Sequence, residues 1–186
     1  MSALPTGRAL LDPVAILSQS GLTLDMQYAD FGAGTLGHFV FPATDIVGIG
    51  GHVYAVDILK GALQGIESRA RLEQVTNLTS VWGDIERKRG VNIPEASLDV
   101  VSLINVSTLI MSGSAVLIES MRLLKPNGKL LLVDWKPGDE PVGPPPDKRP
   151  KQVDVQKMVE QAGFRFIKTF DAGPYHWGAL YKGLPE

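Results

Sequence analysis

Apolar residues follow two rhythms along this chain. One is a series of short dense runs: Tyr28–Phe31 interrupted by Asp30, Val53–Val56, Leu78–Trp82, Ser97–Ile104 and Leu130–Trp135. Their length and their content of Val, Ile and Leu predict strands, the densest of them covered on both faces. The other rhythm spaces apolar residues three or four apart. Leu63, Ile66, Ala70 and Leu72 predict a helix over Lys60–Gln74, and Val116, Leu117, Met121 and Leu124 predict another over Gly113–Leu124. Further helices are expected over Leu36–Ile46, over Val153–Gln161 before Gly163, and over Asp12–Gln19, where Asp12 caps and Pro13 opens the first turn. Strand–helix alternation predicts an α/β chain with a parallel sheet. Phe164–Phe170 and Tyr175–Tyr181, joined at Asp171-Ala172-Gly173-Pro174, read as a closing hairpin.

The stretch that carries chemistry runs from Met26 to Asp57. Strand one is followed by Gly32-Ala33-Gly34-Thr35-Leu36-Gly37, and the second strand ends at Asp57, twenty residues beyond Gly37. Glycines there let the backbone turn sharply and approach a ligand. A carboxylate at the second strand's tip can accept from ribose hydroxyls. Taken alone, the spacing fits a dinucleotide site, and NAD is one reading of it. The third strand ends at Gly83-Asp84-Ile85, where Asp84 can accept from an exocyclic amine and Ile85 can pack on a ring.

Composition narrows the remaining classes. The chain has 186 residues, 44% hydrophobic and 20% charged, which predicts one domain over 1–186 with a substantial core. Within it, 1–24 is expected to be a covering helix region. A loop over 136–150, with six prolines in fifteen residues, should lie on the substrate side, where Lys148 and Arg149 could meet an anionic substrate. A net charge of −2 gives no electrostatic case for nucleic acid or an anionic membrane. With no cysteine and three histidines lacking H-x-x-x-H spacing, no metal site is expected. The N-terminus MSALPTGRALLD has no apolar signal core and no run reaches the length of a membrane helix, so a cytoplasmic setting is expected.

Asp30-Phe31-Gly32-Ala33-Gly34 resembles motif I of the class I S-adenosylmethionine-dependent methyltransferases, D/E-x-G-x-G-x-G. The family's third glycine falls at position 36, where this chain has Leu36 and then Gly37. Leu124-Lys125-Pro126-Asn127-Gly128-Lys129-Leu130 resembles the family's L-K-P-G-G-x-L ahead of strand five. The terminal hairpin is the third point of likeness. Within the class, VDWKP, GPPPDKR and GPYHWGALYK resemble small bacterial enzymes of the ubiquinone/menaquinone-biosynthesis-like group. DIVGIGGHVYAVDI also resembles fibrillarin-type RNA methyltransferases.

The resemblance implies a Rossmann-like, seven-stranded, mostly parallel sheet of order 3-2-1-4-5-7-6, with strand seven antiparallel and helices on both faces. It implies S-adenosyl-L-methionine as cofactor, held by Asp30, Phe31, Gly32, Ala33, Gly34, Asp57, Ile58, Gly83, Asp84, Ile85 and Asn105. It implies methyl transfer to a small-molecule acceptor, with Asn105 at the fourth strand's tip beside the methyl group. His176 and Asp134 are the candidate bases. A small NAD-dependent oxidoreductase, a catalytically silent binding module and an RNA methyltransferase remain the alternatives from sequence.

Overall fold

The computed structural model describes residues 10–138 and 142–183 of the chain. The expected covering region and the proline-rich loop therefore lie partly outside the described residues, at 1–9 and 139–141. Seven strands form one sheet: β1 Gln27–Phe31, β2 His52–Asp57, β3 Leu78–Trp82, β4 Leu98–Ile104, β5 Leu124–Trp135, β6 Phe164–Asp171 and β7 His176–Gly183. Their order is β3-β2-β1-β4-β5-β7-β6, as expected, with β1 to β5 parallel and β7 antiparallel to both neighbours. The central strands are the dense apolar runs of the sequence. Such runs suit a sheet with helices on both sides, where every side chain is buried whichever face it points to.

The helices are α1 Pro13–Gln19, α2 Val40–Val47, α3 Lys60–Leu72, α4 Ser107–Ser112, α5 Ala115–Leu123 and α6 Gln152–Gln161. Ile16 and Leu17 of α1, Val40, Ala43 and Val47 of α2 and Ile66 of α3 pack with Tyr28, Val53, Ala55 and Val133 on one face. Ile110 of α4, Val116 and Leu117 of α5 and Val155 and Val159 of α6 pack with Phe31, Leu103, Leu132 and Trp177 on the other. Burial of these side chains, about 1.5–3 kcal/mol each, is the main term holding the layers together. No helix among the described residues is long and apolar enough to cross a membrane.

Three local details depart from expectation. The helix expected from Leu36 begins at Val40, because Gly37 sits at φ +55° and keeps the preceding residues in turns. A separate helix, α4, occupies Ser107–Ser112, between the tip of β4 and the helix expected from Gly113. Lys125-Pro126-Asn127-Gly128 lies inside β5 as an irregularity, with Asn127 at φ +70° and the register against β4 shifting between Leu98 and Val100.

Candidate active site

β1 pairs with β2 on one side and with β4 on the other. The order reverses there, so the loops leaving these strands diverge and open a crevice at their C-terminal tips. The chain leaves Phe31 through Gly32 at φ +80° and Gly34 at φ +64°. Two amides, of Gly32 and Ala33, donate to the Val56 carbonyl at 2.9 and 3.0 Å. The Gly34 amide donates to Asp57 Oδ2 at 2.9 Å, and the Leu59 amide to Oδ1 at 2.9 Å. Asp57 thus ties the glycine turn to the tip of β2, and each of its oxygens keeps further acceptor capacity. A Cβ on Gly34 would meet nothing within 4 Å, so this glycine answers to its left-handed backbone and to open space, not to a packing neighbour. On the rim, Leu36 is 75% exposed and Ile58 54% exposed.

Asp30 lies beneath the turn, 3% exposed. Burial pushes its carboxyl up to about 6; hydrogen bonds from Ser102 and Tyr28 pull it back, and the charge of Asp57 adds to the rise. The Ser102 hydroxyl donates to Asp30 Oδ1 at 2.6 Å, and the Tyr28 and Ser102 hydroxyls are 2.6 Å apart. Neither Tyr28 nor Ser102 stands out in sequence, since each sits within an apolar strand. The only signal was a serine amid the buried residues of β4.

After β3, Gly83 is buried where a Cβ would fall 2.8 Å from the Gly90 carbonyl. Asp84 Oδ1 accepts the Glu86 amide at 2.9 Å, and the Asp84 amide donates to Gly90 O at 3.2 Å. Ile85 turns into the core with Val81 and Val91. The loop is braced from outside by Glu119 of α5, which accepts from the Arg89 and Val91 amides at 2.9 and 3.1 Å and from Arg122.

At the tip of β4, Asn105 adopts φ +58° and its amide donates to Val133 O at 2.9 Å. Asp134, on neighbouring β5, takes the Ser107 amide on Oδ2 at 2.8 Å and the Trp135 amide on Oδ1 at 2.7 Å. It thereby caps α4 and fixes the Asn105 turn, a position that also bears on its nomination as a base.

Beyond β5 the three motif fragments meet. Register pairs Trp135 with His176 across β5 and β7. The Lys136 amide donates to Tyr175 O at 2.8 Å, and its ammonium group reaches Asp171 and the Gly173 carbonyl at 2.7 and 2.8 Å. Arg149 is buried, and its guanidinium donates to the carbonyls of Pro144, Lys136, Gly138 and Val142 at 2.7–3.3 Å. The expected contact of Arg149 with an anionic substrate therefore gives way to a structural role: carbonyls of the proline-rich loop converge on it. Lys148 remains exposed. His176 has no solvent exposure, and neither ring nitrogen has a hydrogen-bond partner among the described residues. Burial, then the charges of Lys136 and Arg149, push its pKa down to about 4, so the ring is neutral at pH 7.

Residues 22–163 match the model of a methyltransferase domain. No curated protein matches the chain in sequence. Among solved structures, it resembles an S-adenosylmethionine-dependent methyltransferase from Aquifex aeolicus, with a TM-score of 0.88 at 24% identity over 97% of this chain and 94% of the other. It resembles an arsenic(III) S-adenosylmethionine methyltransferase from Chlamydomonas reinhardtii, with a TM-score of 0.66 at 20% identity over 89% and 65% of the two chains. It also resembles a Haemonchus contortus phosphoethanolamine N-methyltransferase bound to phosphomonomethylethanolamine and S-adenosylhomocysteine, with a TM-score of 0.73 at 15% identity over 94% and 52%. At these identities the likeness carries the fold, and one fold hosts many acceptors.

Proposed function

We propose, because this chain belongs to the methyltransferase-domain family, that it is a single-domain S-adenosylmethionine-dependent methyltransferase acting on a small-molecule acceptor by direct displacement. The observation that carries the reading is the Gly34–Asp57 tie at 2.9 Å with Asp30 buried below it. A glycine backbone beside two carboxylates is a set that suits a ribose and an ammonium group.

In this reading Asp30 takes the cofactor's ammonium group, and Phe31 to Gly34 line its methionine portion. Asp57 accepts from the ribose hydroxyls. Ile58, Gly83, Asp84 and Ile85 frame the adenine, with Asp84 accepting from its amine. Asn105 flanks the sulfonium methyl. Bound S-adenosylmethionine would supply a methyl group for in-line transfer to a lone pair on the acceptor, the carbon–sulfur bond electrons staying on sulfur in S-adenosylhomocysteine. Any acceptor proton leaves to a nearby base or to water. The sulfonium charge disperses as the transition state forms, so the protein's contribution is alignment and exclusion of water.

The neutral His176 imidazole, buried beside Trp135, is the base nominated in this reading. Asp134 acts from behind, holding the Asn105–Ser107 turn. Convergence of VDWK, the GPPPDKR loop and GPYH at the tips of β5 and β7 supports a place in the ubiquinone/menaquinone-biosynthesis-like group, with the proline-rich loop on the acceptor side.

Calorimetric titration with S-adenosylhomocysteine beside NAD⁺ tests the reading. Wild type should bind the former, and Asp57→Ala should weaken it ten- to a hundredfold, the equivalent of roughly 1.5–3 kcal/mol for losing a buried charged acceptor. Binding of NAD⁺ in its place would overturn the function and leave the fold standing.

A further inference from the structure

Tyr28, Ser102 and Asp30 make a buried chain of three side chains beneath the glycine turn. Ser102 has one hydroxyl proton, and it points to Asp30 Oδ1 at 2.6 Å. With Asp30 ionised, that proton stays on the Ser102–Asp30 contact and the 2.6 Å contact between Tyr28 and Ser102 is donated by Tyr28. All protons therefore run one way, from tyrosine to serine to carboxylate. Both hydroxyls thus serve the ionised form of Asp30, which can only accept, and hydrogen bonds to that form favour it.

We infer that Tyr28 and Ser102 are positioning residues that hold Asp30 as a carboxylate directed at the cofactor's ammonium group. Resting on the cofactor reading above, the inference adds two residues that make no contact with the ligand themselves.

Two effects oppose the charge on Asp30. It is buried between β2 and β4, and the Asp57 carboxylate on β2 repels it. The groups that face it are Tyr28 from its own strand, Ser102 from β4 and Asp57 from β2, while α2 covers this face with the apolar side chains of Val40, Ala43 and Val47. Two hydroxyls are thus what offsets burial and like charge. Without them the acid form gains ground and the ammonium group loses its counterion.

The sign follows directly. Binding of a cation needs ionised Asp30, so affinity is full above its pKa and falls as pH drops through a value near 6. Removing either hydroxyl raises that midpoint.

The test is S-adenosylhomocysteine affinity by calorimetry from pH 5 to pH 8.5 on wild type, Tyr28→Phe, Ser102→Ala and Asp30→Asn, with thermal unfolding as a control for fold. Wild type should lose affinity on acidification. Tyr28→Phe and Ser102→Ala should bind within about twofold of wild type at pH 8.5 and about fivefold more weakly at pH 6, their midpoints raised by about one pH unit. Asp30→Asn should bind weakly with no midpoint in this range. Tyr28→Phe and Ser102→Ala remove different bonds, so one folded variant suffices. A wild-type midpoint in either folded variant, or weakening of equal size at every pH, would overturn the inference while leaving the cofactor reading intact. Absence of binding by wild type at every pH would instead overturn the cofactor reading.

Discussion

The indole of Trp135 and the imidazole of His176 face one another across the β5–β7 pairing, their ring centres 4.0 Å apart at an interplanar angle of 43°. His176 is fully buried in this contact, and both its nitrogens are kept from water.

Acid stability should report this burial. The folded-state pKa of His176 is depressed from 6.5 to about 4, so unfolding takes up a proton at moderately acid pH. The stabilisation is complete above pH 6.5 and is lost as pH falls from there toward 4, with a ceiling on the order of 3 kcal/mol. Thermal melts of wild type should decline over that interval. His176→Phe, which keeps the ring stack and cannot titrate, should decline less. Equal slopes for the two proteins would refute the assignment.

Glu119 is a second buried group with a definite sign. Burial raises its pKa, but the Arg122 guanidinium and the Val91 and Arg89 amides outweigh that and hold it below the ordinary value. Its contribution is present above pH 4.5 and falls away as pH drops through the lowered pKa. Glu119→Ala would leave the Arg89 and Val91 amides without their acceptor and Arg122 with only Glu95 and the Val91 carbonyl, and should cost about 3 kcal/mol in chemical denaturation. A loss under 1 kcal/mol would mean that the loop after β3 is held by other contacts.

The sheet was legible because its strands are dense apolar runs separated by helical spacing, and that pattern needs no tertiary knowledge. The crevice was legible for the same reason: Asp30, the glycines and Asp57 lie within one strand–turn–strand unit. What sequence could not show depends on partners far along the chain. Helix α4 has no side-chain cap of its own, and Ser107 is capped from Asp134, twenty-seven residues away. Arg149 reads as a solvated cation until its loop folds around it. Ser102 reads as a strand residue until parallel pairing brings it opposite Asp30. The early start expected for α2 failed for a local reason, the left-handed backbone at Gly37, which a hydrophobic pattern does not register.

Arg149 should govern the order of the proline-rich loop more than global stability. Lysine has one ammonium group and cannot span the carbonyls of Lys136, Gly138, Val142 and Pro144 together. Limited trypsin digestion of Arg149→Lys should therefore cleave after Lys148 about tenfold faster than in wild type, since local opening exposes the chain. Unchanged cleavage would show that the prolines alone hold the loop.

Two glycines separate ligand space from packing space. At Gly34 a Cβ has open room, and the cost of alanine is confined to a left-handed backbone, about 1 kcal/mol. At Gly90 a Cβ would fall 2.1 Å from the Asp84 carbonyl oxygen, so the loop after β3 would have to move. Gly34→Ala should thus melt within a few degrees of wild type yet bind S-adenosylhomocysteine at least tenfold more weakly, because its methyl group enters the space the cofactor needs. Gly90→Ala should lose thermal stability as well as affinity. If Gly34→Ala bound as wild type does, the open space above it would not be cofactor space. The left-handed turn would then serve only to bring its amide to Asp57.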